Sequence, residues 1–173
     1  GEMYRILGTA DYHFGKYLEA VKAFGHYLKD NAEPAARRDA LYMLGMSYYR
    51  TGVYSQVPVV LGEVTTGKDE LTQNAYLHMG LAYLQLADKN KARMAFEQAA
   101  ASNANQKIKE QASYNYALCI HETSYSAFGE SVTVFENFLN EFPISAYATK
   151  VSNYLVEVYM NTRSYDAALK SIE

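Results

Sequence analysis

Residues 15–24 read GKYLEAVKAF, and the order of residue types in that decapeptide decides the fold. A turn glycine comes first, an aromatic follows, then the small Ala20, then the large apolar Phe24 one helical turn later. The same order returns as GVYSQVPVVL from Gly52, ADKNKARMAF from Ala87 and SYDAALKSIE from Ser164. The small residue falls at Ala20, Val57, Ala92, Ser131 and Ala168, at spacings of 37, 35, 39 and 37. Four residues after each comes Phe24, Leu61, Phe96, Phe135 or Ile172. A chain that repeats itself at this period is an array of small supersecondary units.

Each unit carries a second small position twelve residues earlier, at Gly8, Gly45, Gly80 and Val156, with Ala117 fourteen before Ser131. Apolar residues recur around it at three- and four-residue steps, as in Leu41, Leu44, Tyr48 and in Tyr76, Met79, Tyr83, which is the period of a helix. Two antiparallel helices come close only where a side chain is nearly absent, so Gly or Ala on one helix is expected to face the body of the other, and the large aromatic beside that notch to fill the space to the next pair. Gly15 and Gly52 are expected to end first helices. Pro34 and Pro143 fall in connecting segments, and Pro58 in the first turn of a helix capped by Ser55. The fourth turn, around TSYSAF, holds two extra residues. The chain is read as all-helical.

At 173 residues, 49% of them hydrophobic and 20% charged, the chain has the make-up of a folded protein. A net charge of -3 with one basic pair, Arg37-Arg38, gives no electrostatic footprint for nucleic acid, and the pair reads as a solvated helix start. No segment has the roughly 18 apolar residues needed to span a bilayer. The single cysteine, Cys119, lies in the apolar run YALCI and reads as a small buried hydrophobe.

These repeats resemble the tetratricopeptide repeat, with signature W-x2-L-G-x2-Y, then A-x3-F, then P. The third unit shows most of it: Tyr76, Met79-Gly80, Tyr83, Ala92 and Phe96. The second gives Leu41, Leu44-Gly45, Tyr48, Val57 and Leu61; the first gives Tyr4, Leu7-Gly8, Ala20, Phe24 and Pro34, with Asp11 in place of the tyrosine. The fourth and fifth are degenerate, and no unit has the tryptophan. The resemblance implies an α-solenoid, a right-handed superhelix of about five stacked helix pairs. It places repeats at 2–34, 35–71, 72–106, 107–143 and an incomplete 144–173, a single array expected to be a fragment of a longer protein. The longer joints, KDNAEPAARRDA and NEFPISAYATK, are similar to those of bacterial envelope members, which implies a lean toward periplasm or envelope.

In arrays of this family the first helices line the concave face. By register, the expected groove residues are Tyr12, His13, Tyr42, Met46, Tyr49, Arg50, Leu77, His78, Leu81, Tyr114, His121 and Tyr154. Such side chains suit a protein or peptide with apolar anchors. Members that clamp a terminal carboxylate do so with Lys and Asn, but the matching sites here hold Arg5, Thr9, Met43, Met46, Asn74 and His78, so that activity is not expected.

No two of the inner-face histidines share a helix at a spacing that converges on a metal. Cys119 and His121, two apart, point about 200° away from each other on a helix and cannot act as nucleophile and base. No phosphate loop or nucleophile elbow occurs. The expectation is a non-catalytic scaffold without cofactor, binding a protein or peptide, neither nucleic acid nor membrane. Two alternatives stand beside it: a regulatory or targeting region of a larger enzyme or sensor, and a self-associating module.

Overall fold

The computed structural model describes residues 1–30, 33–124 and 129–172, with side chains as far as Arg163. Its helices run in chain order as α1 Glu2–His13, α2 Tyr17–Tyr27, α3 Pro34–Arg50, α4 Val57–Gly62, α5 Glu70–Gln85, α6 Lys89–Ala101, α7 Gln106–Thr123, α8 Glu130–Glu141 and α9 Ala148–Ile172. No strand occurs among the described residues.

Side chains start several of these helices. Glu33 accepts hydrogen bonds from the Ala35 and Ala36 amides, Asp69 from Thr72, Asp88 from Lys91, and Asn105 from Lys107 and Ile108. Each fills donors that the first helical turn leaves open. Three first helices end in one hydrogen-bond pattern. Gly15, Gly52 and Ala87 take φ of 78°, 78° and 58°, and the next amide bonds back five residues, Lys16 to Asp11, Val53 to Tyr48 and Asp88 to Tyr83. This is the Schellman stop, which a left-handed residue permits.

The small and large positions of one repeat meet directly, the large side chain entering the notch itself, a correction to the expectation that it fills the space toward the next pair. A Cβ added to Gly8 would stand 2.9 Å from the ring of Phe24, one on Gly80 would stand 2.5 Å from Phe96, and one on Gly45 would collide with Leu61. Phe24, Leu61, Phe96 and Phe135 are fully buried, as are Ala20, Val57, Ala92 and Ala117. The second helix therefore seats its largest side chain in the gap left by glycine on the first.

The pairs α1–α2, α3–α4, α5–α6 and α7–α8 stack in sequence, each second helix also packing on the next first helix. α1 touches α3, α3 touches α5, and α5 touches α7, whereas α2, α4, α6 and α8 do not touch one another. Helices in contact lie on the inside of a curve and helices held apart on its outside, so this α-solenoid has its first helices on the concave face.

Several expectations change. A turn before Ser164 is absent, because α9 continues as one helix to Ile172. The segment NTRS contains no glycine to take the left-handed conformation that Gly15 and Gly52 supply. Val156, expected at a small buried position, is 54% exposed on α9. Ala168 and Ile172 lie outside the residues whose side chains are described. Ser55 does not cap α4: it sits in a short 3-10 turn, Tyr54–Gln56, that leads straight into that helix.

Arg38 is no solvated helix start. Its Nε and Nη2 donate to the Val64 carbonyl at 3.1 and 2.9 Å, and its guanidinium meets Asp69 at 2.8 and 2.9 Å and Thr72 Oγ1 at 3.0 Å. It ties α3 to the joint between α4 and α5. One repeat later, Gln73 does the same with neutral chemistry. It is 1% exposed, donates to the carbonyls of Ala99 and Ser102 at 3.1 and 2.9 Å, and accepts from the Asn105 amide at 2.9 Å.

Candidate protein-interaction face

The inner face is assembled from the first helices, whose side chains reach one another across repeats. Tyr42 on α3 accepts a hydrogen bond from Asn74 Nδ2 on α5 at 2.5 Å. Tyr49 on α3 meets the His78 ring on α5 edge to face at 5.1 Å. Arg50 carries its guanidinium 5.5 Å over the ring of Tyr17, back in the first repeat.

The electrostatics follow from partial burial. Desolvation pushes the Tyr12 phenol up to about 12, the nearby hydroxyls of Tyr42 and Tyr17 adding to the shift and Arg50 opposing it. Burial also raises Tyr42 and Tyr49. For His78 burial lowers the pKa, a hydrogen bond from its Nδ1 to the Asn74 carbonyl at 2.9 Å works the other way, and the Arg50 charge lowers it further. The bond leaves Nε2 as the acceptor, and a neutral ring lies against Tyr49.

The twelve sequence-selected residues divide into three groups. Tyr12, Tyr42, Tyr49, His78 and Leu81 are partly exposed, and His13 and Arg50 are exposed. Met46, Leu77 and Tyr114 are buried. Leu77 packs with Phe96, Ala112 and Cys119, and Tyr114 stacks on Tyr147 at 4.1 Å, so these three hold neighbouring helices together and offer a ligand little surface. His121 and Tyr154 are partly exposed but tied to the last pairs: His121 Nδ1 lies 3.0 Å from Ser131 Oγ, and Tyr154 stacks on Phe135 at 5.6 Å. At the clamp positions Arg5 pairs with Glu2, and Thr9 Oγ1 donates to the Arg5 carbonyl at 2.7 Å.

Sequence reading missed Tyr17 and Tyr54, the ring partners of Tyr12 and Tyr49. Their signal was available, since both pairs recur 37 residues apart, but Tyr17 opens α2 and Tyr54 opens the 3-10 turn before α4, so neither belongs to a first helix. Clefts of about 450 Å³ lie elsewhere. One between α7 and α8 is lined by Tyr116, Ile120, Thr133 and Val134, and one at the start of α3 by Pro34, Arg38 and Leu41. Neither is lined by any of the twelve residues. The inner face presents ring surfaces distributed over several helices, an arrangement that suits a chain segment better than a compact small molecule.

Among the described residues no three His, Cys, Asp or Glu side chains gather in a group able to hold a metal ion. Cys119 is buried, and desolvation pushes its thiol up to about 11, with Glu122 adding and Lys89 and Arg93 opposing. No described helix is long and apolar enough to cross a membrane.

Comparison with curated proteins gave no match. Comparison with protein-family models matched residues 74–105, which span most of α5 and all of α6, to the tetratricopeptide repeat. The matched segment contains Gly80 and Phe96, the same notch and ring that recur at Gly8 with Phe24 and at Gly45 with Leu61. Residues 74–105 are thus similar to a tetratricopeptide repeat, and the helix pairs on either side of that segment are built on the same plan.

Proposed function

We propose that the chain is a non-catalytic scaffold whose concave face holds a segment of a partner protein. Repeats of this family mediate protein–protein interaction, and the observation that carries the reading here is the contact of partly exposed side chains between the successive first helices α3 and α5, Tyr42 with Asn74 and Tyr49 with His78. Tyr12, Tyr42, Tyr49 and His78, with Leu81 beside them, form a surface held in place by the stack beneath it. Such a surface offers several anchors already positioned, so a bound segment loses its own freedom but orders little of the scaffold.

The test is quantitative capture from a lysate of the source organism, comparing the wild-type chain with a Tyr42→Ala, Tyr49→Ala, Leu81→Ala variant whose helicity is checked by circular dichroism. Anchors contributing about 1–2 kcal/mol each weaken binding roughly ten- to a thousandfold when two are lost. A partner retained equally by both chains would remove the concave face from consideration.

A further inference from the structure

The tyrosines of the first two repeats form a ladder with the period of the solenoid. Tyr12 and Tyr17 meet edge to face with centroids 5.8 Å apart and planes at 72°. Tyr49 and Tyr54, each 37 residues further on, meet at 5.8 Å and 66°. Each rung bridges a Schellman turn, at Gly15 or Gly52, so the turn that ends the first helix also fixes the angle between the two rings. All four rings are partly exposed. Basic residues flank the lower rung: Arg50 over the Tyr17 ring, and the exposed Lys16 next to Tyr17 in sequence. Among the described residues neither Lys16 nor Arg50 has a carboxylate partner.

A segment matched to this ladder must present flat apolar groups at the spacing of one repeat, together with negative charge. First helices in contact stand about 8–10 Å apart. A polyproline II strand advances about 9 Å in three residues and so returns to the same face at that distance. A β-strand returns at about 6.6 Å, and an α-helix at about 5.4 Å or, after two turns, about 11 Å. Proline also lies flat against aromatic rings and enters binding already ordered.

We propose that the tyrosine ladder binds a proline-rich, acidic segment of a partner protein in the polyproline II conformation. Prolines three residues apart rest on the two rungs, and a carboxylate turns toward Arg50 and Lys16. This assignment depends on the scaffold reading given above and names the ligand class for the same face.

Fluorescence anisotropy on the full chain with three labelled synthetic peptides tests it: four tandem copies of Pro-Pro-Glu, of Pro-Pro-Lys and of Gly-Ser-Glu. The expected result is that Pro-Pro-Glu binds at least about tenfold more tightly than either other peptide. Tyr17→Leu with Tyr54→Leu should weaken it by about tenfold or more, whereas Tyr159→Leu, on exposed α9 surface, should leave it unchanged. Failure of Pro-Pro-Glu to bind overturns the proposal, as does equal binding by Gly-Ser-Glu, which would reduce the effect to charge, or by Pro-Pro-Lys. Equal affinity in a folded Tyr17→Leu, Tyr54→Leu chain also overturns it. If these peptides fail but a captured protein is still lost on substituting Tyr42, Tyr49 and Leu81, the polyproline assignment falls while the scaffold reading stands. Loss of neither would remove both.

Discussion

Replacing Gly80 by alanine puts a methyl group against the edge of Phe96, where its carbon would stand 2.5 Å from Cε1, 2.6 Å from Cδ1 and 2.8 Å from Cζ. Ordinary contact begins near 3.4 Å, so the ring or the helix must yield by close to an ångström. Phe96 has no exposed surface and is closed in by Leu77, Ala92, Ala99, Ala112 and Cys119, which leaves it no free direction. Overpacking costs about 1–3 kcal/mol, the upper part of that range, about 2–3, for a ring enclosed on all sides, and alanine's better helix propensity offsets about 1 kcal/mol. The expected net loss is about 1–2 kcal/mol, read as a fall of roughly 2–8 °C in the circular-dichroism melting midpoint for a chain of this length. Gly25 on α2 supplies the opposite sign, because no atom lies within 4 Å of its added Cβ. Gly25→Ala should therefore gain about 0.5–1 kcal/mol. In a Phe96→Leu background, where a flexible branch can swing aside, the Gly80→Ala penalty should fall by half or more. A Gly80→Ala chain that melts at or above the wild-type temperature would refute the claim that glycine is there to admit the ring.

Three further outcomes follow from other contacts. Gln73→Leu deprives the Ala99 and Ser102 carbonyls and the Asn105 amide of a buried partner, so a loss of about 2–4 kcal/mol is expected, with faster hydrogen exchange in the α6–α7 joint than in α1 and α2. Asp69 is held well below the usual carboxylate range, first by hydrogen bonding to Arg38 and then by its cap bonds to Thr72. A depressed carboxyl stabilises the fold above its unfolded pKa of about 4 and loses that contribution as pH drops through the folded value. Asp69 is half exposed, so Asp69→Asn should cost no more than about 1 kcal/mol at neutral pH, and the gap in urea midpoint should close as the solution is taken below about pH 4. For Cys119, burial and a thiol pushed up to about 11 predict that maleimide labelling at pH 8 is at least about a hundredfold slower in the native chain than in urea; equal rates would contradict its place in the core.

The notch-and-ring pairs were legible because they need no partner outside the repeat. Gly8 with Phe24, Gly45 with Leu61 and Gly80 with Phe96 are each sixteen residues apart, a distance set by one helix pair and one turn, so counting along the chain is enough to match them. Counting failed where spacing was matched without the turn chemistry. SYDAALKSIE fits the period, yet no left-handed residue precedes it and α9 passes through unbroken. The inner face was legible only as a set of positions. Register places Leu77 and Tyr49 on the same side of their helices, but Leu77 meets Phe96 and Cys119 while Tyr49 meets Tyr54 and His78, a difference set by the distance to the neighbouring helix.

The joints between repeats were the least legible part, and the reason is chemical. Arg38 and Gln73 occupy corresponding places 35 residues apart, and both bind a carbonyl near the end of the second helix that follows, Val64 or Ala99. A backbone carbonyl has no side-chain identity, so an arginine and a glutamine satisfy the same demand and no repeated residue marks the site. The two solutions respond differently to conditions. The Arg38–Asp69 joint depends on charge and is open enough to be screened, whereas Gln73 is enclosed and neutral. Acid or high salt should therefore loosen the stack first between the second and third repeats, with the α6–α7 joint holding, and hydrogen exchange followed segment by segment at pH 3 and pH 7 would show that order. If the α6–α7 joint opens first under acid, the division of labour between a charged and a neutral staple is wrong.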